Sequence, residues 1–146
     1  MTHKLKKIPK VFIYNSVQLM QMDYEAILEL ESILTIVIPP KGKIKWNLFG
    51  YIPHRKFIES IGLYDKGLNQ LPPKLTKLEN LLELFLAENE FTEITNSWKG
   101  FHNLKELHLK GNRISKIADI WDDMHCLQKI SLEKNQLTSL HHLQFN

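Results

Sequence analysis

The chain has 146 residues, the length of one average domain, and 43% of them are hydrophobic and 24% charged. This balance is typical of a globular protein and argues against wholesale disorder. The single cysteine, Cys126, excludes an internal disulfide framework and a thiolate zinc site. No apolar stretch reaches the roughly 20 residues that a membrane-spanning helix needs, and the N-terminus lacks a continuous apolar signal core. The composition therefore predicts a soluble, cytoplasmic protein.

Charge is unevenly distributed along the chain, although the net charge is only +3. Residues 1–57 carry nine Lys or Arg against four Asp or Glu, whereas residues 58–146 carry ten against twelve. The cations of the first part are Lys4, Lys6, Lys7, Lys10, Lys41, Lys43, Lys45, Arg55 and Lys56. Such stretches can meet phosphate groups or anionic lipid, although most are simply solvated. Because the excess is modest and no motif that reads nucleic acid accompanies it, the sequence disfavours nucleic-acid binding.

The N-terminal residues predict a small hairpin followed by a helix. Residues 12–19 have the character of two short strands around the two-residue turn Asn15-Ser16. Asp23 is a candidate N-cap for a helix over residues 24–34, where apolar side chains recur with helical spacing. Pro39-Pro40 then breaks the chain, so we expect irregular structure after the helix.

A repeat of 23 residues organises the rest of the sequence, and its copies begin at positions 58, 81, 104 and 127 with no insertion between them. The segments Leu81–Phe91, Leu104–Ile114 and Leu127–Leu137 follow the pattern L-x-x-L-x-L-x-x-N-x-L, with Ile or Phe replacing Leu at some positions. The copy that begins at Ile58 is weaker and has Lys66 in place of the Asn. On this pattern and period the chain resembles the leucine-rich repeat family.

The spacing within each repeat has a physical reason. Leu84 and Leu86 are two positions apart, so they point to the same side of a short strand and into the core. The Asn of each copy falls where the chain turns out of the strand, and its amide can bond to backbone groups of the turn. These residues are Asn89, Asn112 and Asn135. Because Lys66 replaces Asn in the first copy, we expect the ladder of amides to be open at that end.

The resemblance implies a right-handed α/β solenoid, with a curved parallel sheet on its concave face and irregular or helical segments on its convex side. One coil cannot bury its apolar faces alone, so several must stack. Leu75, Trp98 and Trp121 occupy the same position in successive copies. Their shared position predicts that both tryptophans belong to the convex part of the core.

The predicted organisation is one continuous domain with three parts. Residues 1–10 form a basic flexible tail, residues 11–57 form an N-terminal hairpin-plus-helix cap, and residues 58–146 form four leucine-rich repeats. A helix, a loop that carries Trp46 and a strand leading into the first repeat are similar to the caps of many family members. The fourth repeat stops short of a full period, so the sequence leaves open whether the chain is complete or a fragment of a longer array.

The concave face is the predicted binding surface, because stacking arranges the outward strand residues of successive coils in columns. Its centre is acidic, and ring-bearing side chains lie among the charges, as in a protein-binding hot spot. The candidate partner-binding residues are Tyr64, Glu83, Phe85, Glu88, Glu106, His108, Lys110 and Lys129. The aromatic members of this set are expected to be exposed.

Sequence motifs for catalysis or cofactor binding are absent from the chain. Glu79, His102 and His125 lie one period apart and could together approach a divalent metal. Three solvated side chains at a permissive repeat position are the favoured interpretation. We therefore expect no catalytic residues, no cofactor and no metal, and interpret the protein as a non-enzyme.

The predicted function is a protein-interaction module, or scaffold, that binds a protein or peptide partner of unknown identity through the concave face. One alternative is that the basic N-terminal half binds nucleic acid or anionic membrane. Another is a structural subunit that forms a homodimer through the open C-terminal edge of the sheet. The resemblance alone does not decide among these, because one fold serves many functions.

Overall fold

The computed structural model describes residues 10–43, 45 and 47–139. The predictions for the basic tail before Lys10, for Trp46 and for the end of the fourth repeat after Ser139 lie outside these residues. Within the described ranges, every helix is too short or too polar to cross a membrane.

The N-terminal hairpin lies where the sequence predicts it. Strand β1 (Val11–Tyr14) pairs antiparallel with β2 (Val17–Met20). Asn15 and Ser16 connect the strands with φ angles of 47° and 65°. Two successive positive φ angles are the geometry that tight hairpins require, and Asn tolerates it better than most residues.

Helix α1 (Gln21–Leu34) begins three residues before the predicted start and follows β2 directly. The prediction that Asp23 is the N-cap is wrong, because Asp23 lies in the first turn and Met20 holds the N-cap position. The carboxylate of Asp23 is buried and accepts a hydrogen bond from the Ile58 N–H at 2.6 Å. Asp23 therefore joins the helix to the beginning of the first repeat.

The sheet contains an antiparallel strand that the sequence analysis did not predict. Strand β3 (Phe49–His54) pairs antiparallel with β4 (Phe57–Leu63), and the two are connected by Arg55 and Lys56 at φ angles of 48° and 76°. The sheet is therefore mixed rather than wholly parallel. β3 covers the outer edge of β4, which would otherwise present unpaired backbone groups.

The repeats supply the remaining strands. Strands β5 (Glu83–Phe85), β6 (Glu93–Ile94), β7 (Glu106–His108), β8 (Lys116–Ile117) and β9 (Lys129–Ser131) follow in chain order. The main sheet has the order β3-β4-β5-β7-β9, and the last four strands are parallel. β6 and β8 form a second, two-stranded parallel sheet, and 3-10 helices at Pro73–Lys77 and Asn96–Gly100 lie in the return segments.

The core follows the repeat. Leu84, Leu107 and Ile130 occupy equivalent places on neighbouring parallel strands, as predicted. Leu75 and Trp98 are buried in the return segments, whereas the equivalent Trp121 is half-buried. Apolar side chains of the fourth coil are less enclosed than those of the second and third. Leu127, Ile130, Leu132 and Leu137 are half-buried, whereas their counterparts one and two coils earlier are buried.

The Asn side chains form the predicted ladder, but its open end differs from the prediction. The amide of Asn112 donates to the carbonyl groups of Leu86 and Leu109 at 2.9 Å, and its oxygen accepts from the Phe91 N–H at 3.1 Å. Each Asn thus bonds to the coil that precedes it. The oxygen of Asn89 accordingly accepts from the Lys66 N–H at 3.0 Å. The first coil needs no Asn of its own, and the prediction that the ladder is open at this end is wrong.

Replacing Asn112 by Ala is expected to lower the free energy of unfolding by about 3 kcal/mol, because three buried backbone groups lose a partner at roughly 1 kcal/mol or more each. Urea denaturation followed by circular dichroism measures this loss. Asn103→Ala is the matched control, since the exposed Asn103 makes one bond, to the Glu79 carbonyl. We expect a loss below about 1 kcal/mol for the control. Equal losses would contradict the role assigned to the ladder.

Asp23 predicts a pH dependence of stability. Burial raises the pKa of its carboxyl, although the hydrogen bond from the Ile58 N–H opposes this effect. A carboxyl whose pKa rises on folding contributes most below its unfolded-state pKa, and this contribution is lost as the pH rises through the folded-state pKa. Asp23→Asn retains the acceptor oxygen. We expect the variant to gain free energy of unfolding relative to wild type as the pH rises above the unfolded-state pKa of about 3.9.

Denaturation of both proteins at pH values below and above this pKa tests the prediction. If the difference in unfolding free energy between variant and wild type is independent of pH, Asp23 does not titrate as described.

Candidate functional site

The candidate site is the face of the main sheet opposite the leucine core, which we call the open face. Strand alternation directs Leu84 and Leu107 inward, so their neighbours in the chain lie on the open face. The strand register aligns these neighbours in two columns. One column is Ser60, Glu83, Glu106 and Lys129, and the other is Gly62, Phe85, His108 and Ser131. Both columns agree with the order expected from the repeat.

The aromatic centre of the open face is covered rather than exposed. The rings of Phe85 and His108 stack with their centroids 4.5 Å apart and an angle of 13° between their planes. Phe85 is 7% exposed and His108 is 9% exposed. The expectation of exposed aromatic contacts is wrong for these two residues, because each ring covers the other across the strands. The pair instead forms a nearly enclosed stack of two rings at the centre of the open face.

A polar network surrounds His108, one member of this stack. His108 Nε2 lies 2.9 Å from Glu106 Oε2, and it is the donor because a carboxylate only accepts. Lys129 Nζ lies 3.4 Å from the same oxygen, and Ser131 Oγ lies 3.4 Å from His108 Nδ1. The hydrogen bond from His108 is the main cause that lowers the pKa of Glu106; the nearby Lys129 also lowers it, and partial burial opposes both. Glu106 is thus held as a carboxylate between two partners.

The other predicted residues surround the network. Glu83 is half-buried and accepts a hydrogen bond from Ser60 Oγ at 2.9 Å. Tyr64, Glu88 and Lys110 lie just beyond the strand ends and are half-buried. The backbone ladder continues there, since the Glu88 N–H donates to the Lys110 carbonyl at 2.8 Å. The structure therefore brings Glu83, Glu106, His108 and Lys129 into adjoining positions and places the remaining predicted residues along the edge.

His102 and His125, which the sequence offered as metal ligands, lie outside the open face. His102 and His125 are neighbours on successive coils, with ring centroids 6.4 Å apart. His102 Nδ1 lies 3.2 Å from the Asp123 carbonyl oxygen, so the local backbone occupies that nitrogen. Across residues 10–43, 45 and 47–139, the structure contains no group of three or more His, Cys, Asp or Glu side chains suited to a metal.

A groove that the sequence analysis missed lies between the N-terminal segment and the repeats. Its volume is about 510 Å³, and its apolar lining includes Met20, Met22, Phe57, Leu78 and Phe101. These residues come from β2, α1, β4 and two successive coils. Repeat periodicity relates only the coils to one another, so no signal in the sequence pointed to a groove at this junction.

Comparisons with known proteins match the repeats, over residues 58–144. The family model described as Leucine rich repeat matches residues 58–114, and the model described as Leucine Rich repeats (2 copies) matches residues 102–144. A solved leucine-rich repeat protein of Leptospira interrogans is similar, with 31% sequence identity and a TM-score of 0.52. The match covers 56% of this chain and 21% of that protein, so the chain spans about a fifth of its length. No curated protein matches the sequence.

The network on the open face makes a spectroscopic prediction. His108→Phe retains a ring against Phe85 but removes Nε2, so the pKa of Glu106 should rise towards its ordinary value of 4.5. Titration of the side-chain carboxyl carbon by nuclear magnetic resonance measures this change. Ser131→Ala is the control, because Ser131 contacts His108 without touching the carboxylate. An unchanged pKa in His108→Phe would show that the imidazole does not hold Glu106.

Proposed function

Because the chain belongs to the leucine-rich repeat family, we propose that its open face binds a protein or peptide partner. Repeats of this family generally mediate protein–protein interaction, and the family relationship points to a non-enzymatic module. The identity of the partner is not specified by this relationship.

The observation that carries the proposal is the rigid alignment of polar side chains on the open face. β4, β5, β7 and β9 hold one register, and the Asn amides fix the turns that follow three of these strands. A surface whose backbone is already ordered loses little conformational entropy when a partner binds. The free energy of its contacts is therefore available for affinity and selectivity.

We assign different roles to the residues of this face. Glu83 and Glu106 provide acceptors in the centre, and the exposed Lys129 provides a cation beside them. The stacked Phe85–His108 pair lies in the neighbouring column, and both rings are nearly enclosed. Tyr64, Glu88 and Lys110 supply contacts at the edge. This arrangement favours a partner that presents hydrogen-bond donors or basic side chains to the central carboxylates.

We also propose that residues 11–57 cap the repeats of residues 58–146. The support is a set of bonds between the two parts. Asp23 accepts from the Ile58 N–H, Glu29 accepts from the Lys74 N–H at 2.8 Å, and Glu25 pairs with Lys74 Nζ at 3.1 Å. Together with β3, these contacts keep the first coil from ending in an open apolar surface.

Glu83→Lys tests the binding surface. Reversing a central charge is expected to weaken partner binding at least about tenfold, because a cation replaces an acceptor at the interface. Affinity capture from a cell extract, with quantitative mass spectrometry of the captured proteins, identifies partners of wild type. Titration of a purified partner then measures the change in affinity.

Glu93→Lys provides the matched control for charge. Glu93 is exposed on β6, outside the open face, and the substitution changes the net charge equally. The proposal requires that Glu93→Lys binds like wild type while Glu83→Lys does not. Equal affinities for all three proteins would exclude the open face as the binding surface.

A further inference from the structure

Exposed aliphatic side chains are concentrated in the N-terminal segment. Among the described residues, all the large hydrophobic side chains that are well exposed precede β3, and the repeats contribute none. They are Val11, Ile13, Met22, Leu28, Ile33, Ile36, Val37 and Leu48. Ile13 is 75% exposed and Val37 is 60% exposed. Large aliphatic side chains grouped on one part of a surface indicate a contact that the isolated chain does not satisfy.

The most exposed of these residues lie near one another because Glu31 joins their neighbours. The carboxylate of Glu31 accepts a hydrogen bond from the Tyr14 hydroxyl and another from the Ile38 N–H. The side chains of Tyr14 and Ile38 are half-buried and buried, respectively. Ile13 and Val37 directly precede these residues and are exposed, so the tip of β1 and the segment after α1 both lie next to Glu31.

The lysine-rich segment adjoins these exposed residues. Pro40 pairs in parallel with Tyr51, and the Lys41 N–H donates to the Tyr51 carbonyl at 2.7 Å. The bridge between Pro40 and Tyr51 is parallel, so the residues that precede it in the two segments lie at the same end of the bridge. These residues include Val37 and Leu48. Three lysines lie between Val37 and Leu48 in the sequence, and their side chains are exposed. They are Lys41, Lys43 and Lys45. We call the combined patch the basic aliphatic surface; it consists of Ile13, Ile36, Val37, Leu48, Lys41, Lys43 and Lys45.

The acidic residues of the N-terminal segment bond to groups other than these lysines. Residues 11–57 contain four acidic side chains, and each takes part in a hydrogen bond or an ion pair. Asp23 bonds to β4, Glu25 and Glu29 bond to Lys74, and Glu31 bonds to Tyr14 and Ile38. Within the described ranges, no ion pair involves a lysine of the basic aliphatic surface. This patch therefore presents three lysines and aliphatic side chains, and the carboxylate of Glu31 lies beside it.

We propose that the basic aliphatic surface binds peripherally to an anionic lipid bilayer. Lysine ammonium groups are attracted to the negative headgroup region, and aliphatic side chains gain by entering the boundary with the acyl chains. A single-stranded nucleic acid would instead favour exposed aromatic platforms, whereas the exposed side chains here are aliphatic.

This proposal is independent of partner binding through the open face, because the two surfaces share no residue. Sedimentation with extruded vesicles tests it directly. We expect wild type to bind vesicles of phosphatidylcholine and phosphatidylserine at 7:3 and to bind pure phosphatidylcholine at least about tenfold more weakly. Lys43→Glu/Lys45→Glu and Ile13→Ser/Val37→Ser should each reduce binding to the anionic vesicles about tenfold or more.

Lys105→Glu/Lys116→Glu is the matched control, since it alters net charge equally at two exposed lysines of the repeats. Retained vesicle binding by this control would support the assigned surface, provided that circular dichroism shows all variants to be folded. Three results would overturn the proposal. The first is that wild type does not bind the anionic vesicles. The second is that Lys105→Glu/Lys116→Glu loses as much vesicle binding as Lys43→Glu/Lys45→Glu. The third is that Ile13→Ser/Val37→Ser binds the vesicles as well as wild type does. Binding of a labelled single-stranded RNA in place of the vesicles would identify a nucleic-acid surface instead.

Discussion

The side-chain amides of the repeated Asn residues are the interaction on which the rest of the structure depends. Each amide donates to a carbonyl in its own coil and to another in the preceding coil, and its oxygen accepts an N–H from that preceding coil. These backbone groups lie where the chain leaves a strand, so the sheet ladder cannot pair them. Because every amide joins two coils, the strands keep one register. The leucine core and the columns of the open face both follow from that register.

The repeated part of the fold is predictable because a fixed interval between equivalent side chains specifies register directly. Leu84, Leu107 and Ile130 lie in line for this reason. Strand β3 lacks such a signal, since Arg55 and Lys56 form its turn at positive φ where Gly or Asn is usual. The role of Asp23 is equally hidden, because its partner Ile58 lies 35 positions away in the chain. Local rules identify a helix start but not a long-range bond.

The candidate site illustrates the same limit at the level of side chains. Alternation along a strand places Phe85 and His108 on the open face, and this placement holds. Exposure depends instead on what the neighbouring strand contributes, and the stacked rings enclose one another. Glu25 and Glu29 show the same dependence on other elements, because these helix residues both bond to Lys74, which lies in the first return segment. Sequence patterns indicate which face a residue occupies, whereas contacts across elements determine what that face presents.

The direction of the Asn ladder has a consequence for the growing polypeptide. The turn of the first coil is completed by Asn89, which lies 23 positions after the Lys66 backbone group that it bonds. A ribosome must therefore add one further repeat before the turn of the previous repeat is satisfied. The turn of one coil can therefore be completed only after the asparagine of the next coil has left the ribosome.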